Sequence, residues 1–278
     1  MITRGTAGTG ALAGRPVEVP GPDGPWDAVL GTLAEHGAVV TYGLLPDWEP
    51  KDGDDKRLRA LIGHDWERYT KFKHEMARSR FVASRLLLKH VAAAVISSRP
   101  ELIDLAYRPG GRPYLRGCDQ VDISLSHTED MLVVGVTRNG RIGVDVETAD
   151  RPMLGLGIEA QVCTPHELAM LETIAQARRN GAMVRLWTLK EAYSKAIGQG
   201  LRFRFTEFGF RLGDPRARVL RPDGSPGTGD EWRFGTWLVN RQYTISVALC
   251  DSGFGQTVDI AADTMLDEAL FEALSGAT

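Results

Sequence analysis

Two short stretches constrain this chain more than anything else in it. Gly143-Val144-Asp145-Val146-Glu147 alternates as a half-buried strand does, so Asp145 and Glu147 point to one side and the two valines to the other. About forty residues on, Leu186 to Gly200 (LWTLKEAYSKAIGQG) reads as a helix over Trp187 to Ile197. On it Trp187, Glu191 and Lys195 fall at i, i+4 and i+8, close to one face. One strand thus offers two carboxylates together, and one helix offers a third beside a lysine. Three carboxylates suit Mg²⁺ better than zinc, because Mg²⁺ takes carboxylate and phosphate oxygens and keeps waters. Taken alone, Glu191 and Lys195 read as a surface i, i+4 ion pair worth only ~0.3–0.5 kcal/mol. Trp187 reads as core support for the helix.

The chain is 278 residues long, room for one large domain or two smaller ones. Its 33 basic and 36 acidic residues, net −3, exert no global pull toward nucleic acid or an anionic membrane. Any phosphate binding must therefore come from local clusters. Cys118, Cys163 and Cys250 lie far apart without a CxxC pair, which argues for reduced thiols and against a disulfide or zinc framework. No stretch approaches the ~18 apolar residues of a membrane span, and no signal-peptide core is present, so a cytoplasmic protein is expected.

In chain order, residues 1–25 are rich in Gly, Pro and Thr and read as a flexible arm. The glycine run from Gly8 to Gly14 follows no strand and opens no helix pattern, so it is not a nucleotide loop. Trp26 to His36 predicts a helix, Ala38 to Leu44 a strand, and Pro46 to Asp55 a charged loop. From His64 to Ser97 a long helical pattern runs, with one slip between Met76 and Phe81. Leu102 to Tyr107 reads as a strand, residues 108–113 as a turn, and Val121 to Leu125 as a strand ending at Ser126-His127. Asn139-Gly140, between Met131–Thr137 and Arg141–Glu147, predicts a hairpin that fixes Asp145 and Glu147. Thr164-Pro165-His166-Glu167 is a helix start, and that helix is expected to end near Asn180-Gly181. Leu201 to Leu212 alternates as a strand and Gly213 to Asp230 is a loop. A closing hairpin, Trp232–Val239 with Tyr243–Leu249, precedes a last helix capped by Asp263.

Ile142 to Glu147 (IGVDVE) followed by Trp187 to Lys195 (WTLKEAYSK) resembles the paired signature of the 4′-phosphopantetheinyl transferases, and the spacing resembles the large, Sfp-type members. The resemblance covers roughly residues 26–250. It implies an α+β fold of two similar α/β subdomains, residues 26–140 and 141–250, related by a pseudo-twofold with the active site between them. It implies transfer of the 4′-phosphopantetheine arm of coenzyme A to a serine of an apo acyl or peptidyl carrier protein, releasing 3′,5′-ADP. Asp145, Glu147 and Glu191 would hold Mg²⁺, and Glu191 would also take the serine proton. Lys195 would neutralise the phosphates or protonate the leaving oxygen, and Lys190, about 100° around the helix from Glu191, would reach the phosphates from the side.

Ser124 to His127 (SLSH) is similar to the family's SxSH, which makes His127, with Ser126 beside it, a ligand of the 3′-phosphate. Phe81 to Leu88 is similar to a loose F-x-x-x-R-x-L-L pattern, which selects Arg85, with Lys71 as a weaker candidate. The Gly111-Arg112-Pro113 turn matches a G(K/R)P turn and makes Arg112 a phosphate ligand. Coenzyme A and a carrier protein are the expected partners of a monomer that binds neither nucleic acid nor membrane. Two other readings of the acid cluster stay open, a metal-dependent phosphohydrolase or nucleotidyl transferase and a non-catalytic coenzyme A-binding protein.

Overall fold

Ala38–Leu44 is buried on both faces over all but its last residue, and the fold supplies the cover by stacking two sheets with a helix outside each. The structure, a computed structural model, describes residues 14–50, 55–155, 157–199, 203–213, 217–229 and 231–251. Residues 1–13 of the expected arm and the helix expected after Asp263 fall outside these. Residues 14–25 are not a loose arm, because Val17–Glu18 pairs parallel with Ala38–Leu44 and Val19 is fully buried. The first half holds β1 (Val17–Glu18), α1 (Trp26–His36), β2 (Ala38–Leu44), α2 (Leu45–Trp48), α3 (Asp55–Ile62), α4 (Trp66–Thr70) and α5 (Glu75–Val95). It continues through β3 (Leu105–Tyr107), β4 (Pro113–Leu115), β5 (Asp122–Thr128) and β6 (Met131–Thr137). The second half holds β7 (Arg141–Thr148), α6 (Ile158–Val162), α7 (Pro165–Thr173), α8 (Gln176–Ile197), β8 (Gly209–Phe210), β9 (Val219–Leu220), β10 (Trp232–Val239) and β11 (Tyr243–Cys250).

The first sheet runs β1-β2-β6-β5 and the second β10-β11-β7. Leu132, Val134 and Val136 of β6 face α5 in the first core, while Met131 and Val133 alternate to the other side. There they meet Ile142, Val144 and Val146 of β7 and Ile245, Val247 and Leu249 of β11, an apolar layer between the sheets. Each sheet is thus buried on one face by its partner sheet and on the other by one long helix, α5 or α8. The protein is α+β, as the sequence implied. Among the described residues no helix is long and apolar enough to cross a membrane.

Four local expectations are corrected. The 64–97 pattern is not one helix: a 3₁₀ turn at Gly63–Asp65 and α4 precede a break at residues 71–74, where Phe72 folds back on Phe81 with ring centroids 4.9 Å apart. The slip between Met76 and Phe81 marks that break. Asn139-Gly140 does turn the chain, but β6 and β7 do not pair. The backbone of β7 pairs with β11, and β6 crosses it face to face. Alternation serves a sheet-to-sheet corner as well as a hairpin, so pattern alone does not separate the two.

Asn180-Gly181 does not end a helix. Pro165–Thr173 stops at Ile174, and α8 runs straight through Asn180, whose side-chain amide leaves the helix to bind Met153 N at 2.9 Å and Arg151 O at 2.8 Å. Finally, the alternation in 201–212 is mostly a 3₁₀ turn and loop whose Phe203, Phe205, Phe208 and Phe210 cluster with Tyr193 and Phe234. The closing hairpin forms as expected, turning through Asn240 and Arg241, both at positive φ.

A candidate active site between the two halves

The site lies on the seam where β5, at the edge of the first sheet, runs beside β7 of the second. Pairing across that seam is made by side chains instead of backbone. Asp122, Ser124, Ser126 and Thr128 alternate to the β7 side of β5. Asp122 accepts from Ile142 N at 2.8 Å and Ser124 from Val144 N at 3.0 Å. Ser126 donates to Asp145 Oδ1 at 2.8 Å, and Thr128 to Glu147 Oε1 at 3.0 Å. This ladder satisfies the free edge of β7 and sets the acids at fixed heights.

From the other side α8 covers the same acids. A Cβ on Gly143 would stand 1.9 Å from Ala192 O, so the glycine is what lets the helix backbone lie on the strand. Lys195 Nζ therefore reaches Asp145 Oδ1 at 2.7 Å, Ser126 Oγ at 2.9 Å and Val144 O at 3.1 Å. Burial pushes the Asp145 carboxyl up despite this lysine. Glu191, one turn before Lys195, is pushed up to about 7 by burial and then by the charge of Asp145. Its Oε1 is buried with no hydrogen-bond partner. Such an oxygen is costly to leave alone and suits a cation or a proton donor.

Glu147 shares the face of Asp145 but is engaged otherwise: its carboxylate is paired with Arg151 and takes Thr148 N at 2.8 Å. Arg151 in turn lies over the Trp187 ring at 5.7 Å. The three expected acids thus do not stand as one ready cluster. Among the described residues no three His, Cys, Asp or Glu side chains are arranged to hold a metal. What the structure brings together is Asp145, Glu191 and Lys195. A cleft of about 430 Å³ opens onto Glu191 and Lys195, walled by Pro109, Gly110 and Arg112 of the β3–β4 turn, Leu125, and the end of α8 at Gly198.

On the opposite side of β5, Ile123 and Leu125 face α5, and His127 continues that side at the rim. The residue is exposed, yet its pKa is pushed down to about 4, first by desolvation and then by the charges of Arg85, Lys195 and Arg80. Arg85 is nearly buried, with its guanidinium 4.0 Å from the Phe81 centroid. Arg80 holds the turn after His127 through Glu129 O at 2.9 Å. Three cations thus act on the imidazole, each also paired with an acid: Arg85 with Asp65, Lys195 with Asp145 and Arg80 with Glu129.

Two candidates from sequence, Lys71 and Lys190, are placed away from the cleft, and a third, Arg112, lies in its wall. Lys71 is exposed and pairs with Glu67 at 2.7 Å on its own helix. Arg112, in the cleft wall, is already engaged by Asp122, by Ile142 O at 2.8 Å and by Ala196 O, joining β5, β7 and α8. Lys190 is fully buried, ion-paired to Glu167 at 2.6 Å and bound to Val162 O, Phe205 O and Phe208 O. Rotation of about 100° from Glu191 turns it into the core instead of toward the cleft. Glu167 is also the N3 half of the capping box with Thr164, so this pair ties the start of α7 to α8. We expect Lys190→Met to destabilise the fold by about 3 kcal/mol in urea denaturation, because it strands a buried carboxylate. A mere rise in KM with unchanged stability would return Lys190 to the phosphates.

Sequence reading missed Arg80, Arg151, Asp65 and the β5 ladder. The ladder had a signal, since Asp122, Ser124, Ser126 and Thr128 are polar at every second position.

Residues 141–248 match the profile of the ACPS 4′-phosphopantetheinyl transferase superfamily. Over 228 residues, 76% of this chain and 78% of the relative, the sequence is 29% identical to a phosphopantetheinyl transferase of Thraustochytrium sp.. It is 24% identical to a 4′-phosphopantetheinyl transferase of Bacillus subtilis over 66% of this chain and 81% of that one. A holo-(acyl-carrier-protein) synthase from Bacillus anthracis, solved in complex with CoA (3′,5′-ADP), superposes on 41% of this chain and 98% of its own, with 20% identity and a TM-score of 0.33.

Proposed function

We propose that this chain, whose residues 141–248 match the 4′-phosphopantetheinyl transferase superfamily, is an enzyme moving the 4′-phosphopantetheine arm of coenzyme A onto a serine of an apo carrier protein. The observation that carries the reading is the meeting of Asp145, Glu191 and Lys195 beside a cleft, with His127, Arg85 and Arg80 grouped on the other side of β5. Acid–base groups and an anion site thus lie on opposite sides of one strand, as a substrate carrying a diphosphate and a separate phosphate requires.

The donor set fits Mg²⁺. Asp145 and the unpartnered Glu191 oxygen are hard carboxylate groups that would hold the ion, and Glu147, paired here with Arg151, would add a third only on leaving that pair. When bound, the ion supplies charge neutralisation at the diphosphate. The chain's own residues do the rest. His127 and Arg85 fix the 3′-phosphate. Glu191 takes the proton from the serine hydroxyl as its oxygen attacks the β-phosphorus. The bond to the 5′-phosphate of 3′,5′-ADP breaks, that product leaving with the electron pair, and the Lys195 ammonium stands beside the departing oxygens.

The test is incubation with coenzyme A, Mg²⁺ and an apo carrier protein. The carrier gains one phosphopantetheine arm in the mass spectrum. Product released equally without the carrier would instead mean hydrolysis, and binding with no product would mean a non-catalytic protein.

The His127 ring makes a second prediction. In the free protein it titrates near 4, and 3′,5′-ADP raises it toward the ordinary value of about 6.5. Because the complex then binds more protons than the free protein in that window, affinity strengthens as pH falls from 7 toward 5. Imidazole proton shifts read by NMR check this, and a His127 pKa unmoved by saturating 3′,5′-ADP contradicts it.

A further inference from the structure

The mechanism leaves one buried polar group unused. Asp65, on the 3₁₀ turn before α4, is almost wholly buried, and Tyr107 of β3 donates its hydroxyl to Asp65 Oδ2. The same Oδ2 stands 3.5 Å from Arg85 Nε. Arg85 is otherwise held by the Phe81 ring beneath it and by Ser84 Oγ at 3.1 Å, and its Nε has no hydrogen-bond partner. A second cation, Lys89, is buried a turn further along α5 and senses the charges of Asp65, Asp104 and Glu101. A turn, a helix and a strand far apart in sequence thus converge on a carboxylate behind a single arginine.

We propose that Asp65, locked by Tyr107, is the positioning residue that aims Arg85 at the anion beside His127, and so sets the preference for a coenzyme bearing a 3′-phosphate. This rests on the reading of His127 and Arg85 given above. Arginine carries many rotamers, and recognition of a phosphate needs its plane fixed before the ligand arrives. Stacking on Phe81 fixes the plane but leaves the guanidinium free to slide, and the charge of Asp65 fixes its position. An arginine cannot shed its proton, so without that carboxylate the buried cation turns out to solvent. Without the Tyr107 hydroxyl, Asp65 is free to turn toward Lys89.

Calorimetry with coenzyme A and with 3′-dephospho-coenzyme A tests this on the wild type, Asp65→Asn, Tyr107→Phe, Arg85→Ala and the Asp65→Asn/Arg85→Ala double variant. The wild type prefers coenzyme A. Asp65→Asn loses about tenfold for coenzyme A and nothing for the dephospho form, with Tyr107→Phe in between. Unchanged dephospho binding shows that the fold is intact. Asp65→Asn adds nothing in the Arg85→Ala background. Equal loss for both ligands, tighter coenzyme A binding, or full additivity in the double variant overturns the inference. If Arg85→Ala abolishes the preference and Asp65→Asn keeps it, the positioning role alone falls. A wild type with no preference removes the phosphate site and this inference with it.

Discussion

Glu191→Gln lowers transfer by about a hundredfold or more and, in metal-free buffer at pH 8, makes the fold more stable. Both effects have one origin. Glu191 is buried beside Asp145 and keeps its proton up to about 7, against an ordinary 4.5. Its folded pKa is raised, so the associated stability is complete below about 4.5 and is lost as pH rises through 7. Glutamine mimics the protonated form without ever ionising. With 1.36 kcal/mol per pKa unit, discounted for partial exposure, the gain at pH 8 is about 1–3 kcal/mol and close to nothing at pH 4.5. Thermal melts at the two pH values read it directly. A gain equal at both, or near-normal transfer, contradicts the assignment of Glu191 as the base.

Gly143→Ala is the second large effect. The new Cβ would lie 1.9 Å from Ala192 O and 2.6 Å from Ala196 N, both backbone atoms that do not rotate away. Helix α8 must lift off β7, at a cost of about 3 kcal/mol or more. Glu191 and Lys195 ride on that helix, so transfer falls even where the variant is still folded. Gly135→Ala is the control. Its Cβ meets Val144 Cγ1 at 2.6 Å and Ile142 Cδ1 at 2.9 Å, side-chain ends that shift, so a loss of only about 1–2 kcal/mol with intact chemistry is expected. Urea denaturation with transfer measured below the transition separates the pair. Gly143→Ala behaving as wild type in both refutes the close approach.

What the sequence made legible follows from the range of each signal. Strand alternation and helix spacing are local, so β2, α1, the closing hairpin and the α7 capping box were readable from a few residues each. The side on which Asp145 and Glu147 lie was readable for the same reason. Partners across the fold were not. Nothing around Asn139-Gly140 says that β7 pairs with β11, a strand about a hundred residues later. Lys190 and Glu191 are neighbours in sequence, yet one is core and the other faces the cleft. Whether Arg112 meets a phosphate or clamps Asp122 depends on which elements close behind it. Arg85 was selected by a motif, whereas Asp65 behind it comes from a turn with no pattern of its own. The break at residues 71–74 was announced only as a slip in register, because Phe72 packs as well in a fold-back as on a helix face.

The central claim is that acids of β7 and α8 hold a single divalent ion against the diphosphate, with the 3′-phosphate lying across β5 at His127 and Arg85. The most direct measurement is a crystal structure with Mg²⁺ and coenzyme A. The account predicts Asp145 and Glu191 both coordinating the ion at about 2.0–2.1 Å, Glu147 freed from Arg151, and the 3′-phosphate between His127 and Arg85. An ion held by phosphates alone, with Glu191 turned away and the 3′-phosphate in solvent, would contradict it.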